Sequence, residues 1–158
     1  MALVPSTFKA GLEPLNVPSP SGLTQANVIM LAFQTYALSA QNSVGLPTLS
    51  MPAWSAGKSQ LQAAMTAPVI SSTMFAMSLT NAINTAWSSL QTQFQTAPIV
   101  ANPGTLQSTL ISTVATPNPS AQIFILGLVN AVHTYCSTSI ITGVIPGTPP
   151  VPFTGPPL

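Results

Sequence analysis

Three side chains in this 158-residue chain are ionised at neutral pH: Lys9, Glu13 and Lys58. Ordinary soluble domains carry charge on about a quarter of their residues; here the share is 2%. Asp and Arg are absent, and there is one His and one Cys. That poverty excludes chemistry ahead of any fold. No carboxylate pair exists for general acid–base work, no Ser-His-Asp triad can be assembled, and no guanidinium can clamp a phosphate. Catalytic residues, a cofactor, a metal and a small-molecule substrate are therefore not expected. Two Lys cannot neutralise a nucleic-acid backbone, nor hold the chain to an anionic membrane. Near-zero net charge favours association, and the polarity of this chain comes from 55 Ser, Thr, Asn and Gln. The expected partners are other protein subunits.

A mean hydropathy of +0.48 raises the question of a membrane. The richest apolar run, Ile123 to Val132, is interrupted by Gly127 and Asn130 and closed by His133. It is half the length of roughly 20 residues that a spanning helix needs. Met1 to Ala10 has no long apolar segment behind a positive charge, so no signal peptide is expected. One Cys excludes a disulfide framework within the chain.

The 17 prolines are unevenly placed. They cluster around 14–20, 47–52, 68, 98–103, 117–119 and from Pro146 onward, with long stretches between. Proline interrupts helices and starts extended segments, so the clusters mark linkers. The stretches between predict helices over 23–41, 57–66, 71–96, 105–115 and 120–141. Few segments alternate as amphipathic strands do, and the expected class is all-α.

Sliding the chain against itself by 49 or 50 residues brings three segments into register. Ala32-Phe33-Gln34-Thr35-Tyr36 meets Ala82-Ile83-Asn84-Thr85-Ala86 and Ala131-Val132-His133-Thr134-Tyr135. Upstream, Pro18-Ser19-Pro20-Ser21 meets Pro68-Val69-Ile70-Ser71 and Pro117-Asn118-Pro119-Ser120. Residues 61–87 and 110–136 share eight identities in 27 positions. The expected unit is a short helix, a Pro-containing turn, and a long helix with Ser21, Ser71 or Ser120 as N-cap. Three aligned stripes, Ile29/Ala32/Phe33/Tyr36, Leu79/Ala82/Ile83/Ala86 and Leu128/Ala131/Val132/Tyr135, each define one helical face. Phe75 and Phe124 extend two of them by a turn. The three long helices are expected to pack through these faces as a small bundle. The first copy is degenerate, because Leu12-Glu13-Pro14-Leu15 stands where its short helix is expected. The expected organisation is an extended N-terminal arm (1–20), a helical repeat domain (21–142) and an extended Pro-rich C-terminal arm (143–158).

The reactive residues weigh little. His133 and Cys136 stand three apart on one helix, but two ligands without a nearby carboxylate do not complete a metal site. Gly57-Lys58-Ser59 resembles the end of a phosphate-binding loop, yet Pro52 occupies the place of its first glycine, and a helix start after a loop explains it better. Trp54 in its Pro-flanked loop reads as an interface anchor, Trp87 as core or interface. Val151, Pro152 and Phe153 read as docking residues on the C-terminal arm.

The run from Ala131-Val132-His133-Thr134-Tyr135 through Ser139-Ile-Ile-Thr142-Gly143 into Pro146-Gly-Thr-Pro-Pro-Val-Pro-Phe-Thr154-Gly155 resembles small virion structural proteins of tailed bacteriophages. Those chains carry Ala-rich helices around an A-x-x-x-Y run and then a Pro/Gly/Thr-rich tail. The likeness covers residues 120–158, and the earlier helices in style. It implies a passive multi-copy component of a tail, baseplate, neck or capsid surface, located in the virion. The expected function is thus a non-enzymatic structural subunit that packs uncharged faces and straps its neighbours with its tails. The alternative is a helical adaptor module whose Pro-rich tail is a ligand for another domain.

Overall fold

The computed structural model describes residues 3–18, 21–68, 70–115 and 120–158. It is mostly helical. The order is α1 (Pro5–Leu12), a 3₁₀ turn (Glu13–Asn16), α2 (Gly22–Leu38), β1 (Thr48–Ser50), α3 (Trp54–Met65) and α4 (Ser72–Ser88). Then follow β2 (Gln91–Thr92), α5 (Pro103–Ala115), α6 (Ala121–Ser137), β3 (Ile141–Ile145) and β4 (Val151–Gly155).

Local chemistry sets both ends of the long helices. α2, α4 and α6 have 17 residues each, and the hydroxyls of Ser21, Ser71 and Ser120 accept the N–H three residues on. Each cap satisfies one of the backbone donors that a helix start leaves free. Ser19, Pro20, Val69, Pro117, Asn118 and Pro119, part of the expected turns, lie outside the described residues. At the far ends, Ser39, Ser89 and Ser139 donate their hydroxyls to the carbonyls of Tyr36, Ala86 and Cys136 at 2.7, 2.7 and 2.6 Å. A side chain that takes a terminal carbonyl offers the backbone an alternative to another helical turn. The long helices stop at 38, 88 and 137, short of the expected 41, 96 and 141.

The short helices alternate with the long ones, and the contacts close a ring. α1 packs on α2, α2 on α3, α3 on α4, α4 on α5, α5 on α6, and α6 returns to α1. Inside it all the stripe residues are buried, as are Phe8, Leu12, Leu61, Trp87 and Leu110. Phe75 and Phe124 pack ring to ring at 6.1 Å.

Three expectations are corrected. The all-α class is incomplete, since two small antiparallel sheets are present, β1 with β2 and β3 with β4. The N-terminal segment is not an extended arm. Pro5 starts α1, where its missing N–H costs nothing. Phe8 and Leu12, four apart, are fully buried, while Pro14 sits in the 3₁₀ turn that follows. A short helix thus does precede α2, several residues earlier than sought. The C-terminal segment is not an extended arm either. Ile141–Ile145 and Val151–Gly155 pair in register from Ile141 opposite Gly155 to Ile145 opposite Val151.

Candidate functional site: the laced end

Beyond the C-terminal ends of the long helices, three segments (39–53, 89–102 and 138–158) are joined edge to edge by backbone hydrogen bonds. β1 pairs with β2, and Gln93 N–H donates to Pro47 O at 3.0 Å. The second segment meets the third through Thr96 N–H to Thr142 O, Val144 N–H to Phe94 O and a reciprocal pair between Val100 and Ile140. The third returns to the first where Gln41 and Leu158 exchange N–H···O bonds of 3.1 and 2.8 Å. The lace is therefore a closed circuit, like the helical ring beneath it.

Polar side chains join the helices to one another and, at Trp87, to the lace. Trp87, fully enclosed, donates its indole N–H to Ser139 Oγ at 3.0 Å. Tyr36 Oη and His133 Nδ1 are hydrogen-bonded at 2.8 Å, joining α2 to α6. Tyr135 Oη donates to Asn84 Oδ1 at 2.6 Å, joining α6 to α4. Burial, with Cys136 as a lesser neighbour, drives both phenol pKa values well above the ordinary 10.0. Burial also raises the Cys136 thiol. A thiol held protonated and enclosed is a packing group, not a nucleophile.

A short polar turn positions the one exposed aromatic ring at this end. Gln95 Oε1 accepts from both Thr92 N–H (2.8 Å) and the Thr92 hydroxyl (3.2 Å), and Gln95 Nε2 donates to Ala97 O at 2.8 Å. Within that turn Phe94 has φ +61°, in the left-handed region. The first segment makes its own left-handed residue with Gly45, φ +80°, beside an Asn42 side chain that accepts two backbone N–H groups. Glycine occupies this region freely, whereas a side chain there costs about 1–2 kcal/mol. The Phe94 carbonyl gains a bond from Val144 N–H at 3.0 Å. That approach requires Gly143, since a Cβ there would strike both the Phe94 carbonyl and the Phe153 ring. Phe94 remains 38% exposed. It stands on an open cleft of about 600 Å³ lined by Leu49, Pro52 and residues 88–92 and 94–98, none of them charged.

The residues expected to form an interface divide. Trp54 opens α3 rather than lying in a loop, and its indole N–H donates to Met30 O at 2.9 Å. With Lys58 Nζ 5.2 Å from its ring centre, it anchors α3 on α2. Phe153 is buried against Gly143. Val151 and Pro152 stay exposed on β4. Thr142 and Val144 spend their outward groups on Thr96 and Phe94. Their partners across the hairpin, Thr154 and Pro152, therefore point outward as well. Between Val151 and Gly155 the free edge thus presents a single N–H, that of Thr154, because proline has none.

His133 is engaged by Tyr36 and Cys136 is enclosed, so the two do not face a shared open site. Gly57-Lys58-Ser59 lies inside α3, where the missing Gly57 side chain lets the helix approach the Ala82 backbone. Among the described residues no helix is long and apolar enough to cross a membrane. Phe94 was missed from sequence because a left-handed residue is recognised by glycine or asparagine, and here the position is aromatic. Comparison with family models, with curated proteins and with solved structures returns no match.

Proposed function

We propose that this chain is a non-enzymatic structural subunit of a large protein assembly, a virion component of the tailed-phage kind. One observation carries the reading. The surface holds three charged side chains and leaves large apolar ones open to solvent, with Val17, Leu49 and Val100 at 67, 65 and 67% exposure. Uncharged faces associate without the cost of stripping water from ionised groups. Neighbours are engaged by these faces rather than by loose arms. The chain is further read as three copies of one helical unit. In support, the long helices match in length and begin on the same serine cap. The tyrosine bonds also follow the 49–50-residue register, each running from one copy to the polar residue of another.

Density-gradient fractionation of the source lysate, with peptide mass spectrometry of each fraction, tests the reading. Co-sedimentation with intact particles at a fixed ratio to a capsid protein is the expected result. Recovery only in light soluble fractions would overturn it. Incorporation is also expected to change little with salt, because there is almost no charge to screen.

A further inference from the structure

We propose that the cleft below Phe94 binds a neutral, hydroxyl-rich ligand of the oligosaccharide class, with the Phe94 ring as its stacking platform. The inference stands apart from the assembly role. The turn needs a left-handed residue, and the first segment supplies glycine for the same need. A phenylalanine there strains the backbone, and at 38% exposure the ring does not recover that cost by full burial. Strain kept at the mouth of a cleft is accounted for by a contact the ring makes with something else. The cleft, about 600 Å³, falls within the usual size of ligand sites.

Its chemistry selects the ligand. No charged side chain lines it, so nothing waits for a phosphate, carboxylate or ammonium group. An extended peptide adding to the rim would need backbone groups that the lace already uses, the Thr96 N–H with Thr142 and the Phe94 carbonyl with Val144. Side-chain amides and hydroxyls are what remain. Gln91 Oε1 accepts from Ser50 Oγ at 3.1 Å, and its N–H groups have no partner among the described residues. The exposed Thr96 hydroxyl likewise has none among them. Gln95 is held by Thr92 and Ala97, so the turn is set before any ligand arrives. A pyranose ring offers an apolar C–H face to the aromatic ring and hydroxyls to the amide and the threonine. The open form of the cleft suits a chain of sugars lying across it.

The full chain applied to an array of immobilised neutral glycans, followed by calorimetric titration of the oligosaccharides it retains, tests this. At least one neutral oligosaccharide is expected to bind. Phe94→Gly is expected to weaken that binding at least tenfold in a chain that still unfolds cooperatively. Phe94→Trp is expected to keep the binding. Two results would each overturn the proposal: retention of no neutral glycan, or unchanged binding by Phe94→Gly. Binding of a polyproline decapeptide in place of glycans would overturn it too, and assign the cleft to Pro-rich peptides.

Discussion

The helical ring is joined through side chains and the lace above it through the backbone. In the ring, apolar side chains recur every three or four positions and meet the next helix along, so Leu79, Ile83 and Trp87 are core because of their spacing. In the lace, the joining groups are C=O, which every residue carries, and N–H, which all but proline carry, and they reach far along the chain. Thr96 finds Thr142, and Gln41 finds Leu158. Side chains there act at a few points, as when Asn42 donates to the Gln93 carbonyl 51 residues away. Specificity in the ring is spread over many apolar contacts. In the lace it rests on a handful of residues that let backbones approach.

The strongest break in that contrast is Trp87→Ala, because Trp87 belongs to both layers. Losing a fully buried indole costs about 3–5 kcal/mol, and Ser139 Oγ loses the N–H it accepts from. Chemical denaturation should show one cooperative transition at much lower denaturant. A retained lace over a melted ring would refute the coupling. Gly143→Ala separates the layers. The Cβ meets the Phe94 carbonyl and the Phe153 ring, at about 1–3 kcal/mol for overpacking. Hydrogen exchange should speed up at Thr96 and Val144 while the amides of α2, α4 and α6 keep their protection. Ser71→Ala touches the ring alone, removing the cap on Met74 N–H. The expected loss is about 1 kcal/mol in thermal unfolding, with lace exchange unchanged.

Alkaline titration sharpens the same comparison, because the raised phenols of Tyr36 and Tyr135 and the raised Cys136 thiol all lie in the ring. Groups whose folded pKa is raised stabilise the protein below the unfolded value, and that contribution drains as pH rises past it. The unfolded values are 10.0 for tyrosine and 9.0 for cysteine. The melting temperature should therefore fall steadily above about pH 9–10, with tyrosinate absorbance appearing only as the chain unfolds. Free ionisation of both tyrosines in the folded chain would contradict their burial.

The long helices of the ring were legible in the sequence; α1, which closes it, and the lace largely were not. The stripes from Ile29 to Tyr135 and the caps Ser21, Ser71 and Ser120 stand where the periodicity and the 49–50-residue register place them. The helix ends were overrun because no proline or glycine marks them. Ser39, Ser89 and Ser139, spaced by 50, were the available signal. The strands were missed because two to five residues cannot show a period, and because prolines beside Phe153 read as an extended tail. Proline was compatible with that hairpin because its side without a donor faces outward. Of the interface residues, Trp54 and Phe153 make contacts within the chain, with Met30 and Gly143, while Val151 and Pro152 stay exposed. Composition identifies a sticky ring; only the fold decides whether its own chain or another covers it.

The outward turn of Pro152 also bears on colloidal behaviour. A chain with almost no electrostatic repulsion between copies is free to collide and linger, and a bare strand edge would then nucleate unlimited growth. β4 offers a newcomer one donor, too few to template another strand. Contact at that edge is left to side chains, whose shapes must fit for a neighbour to stay.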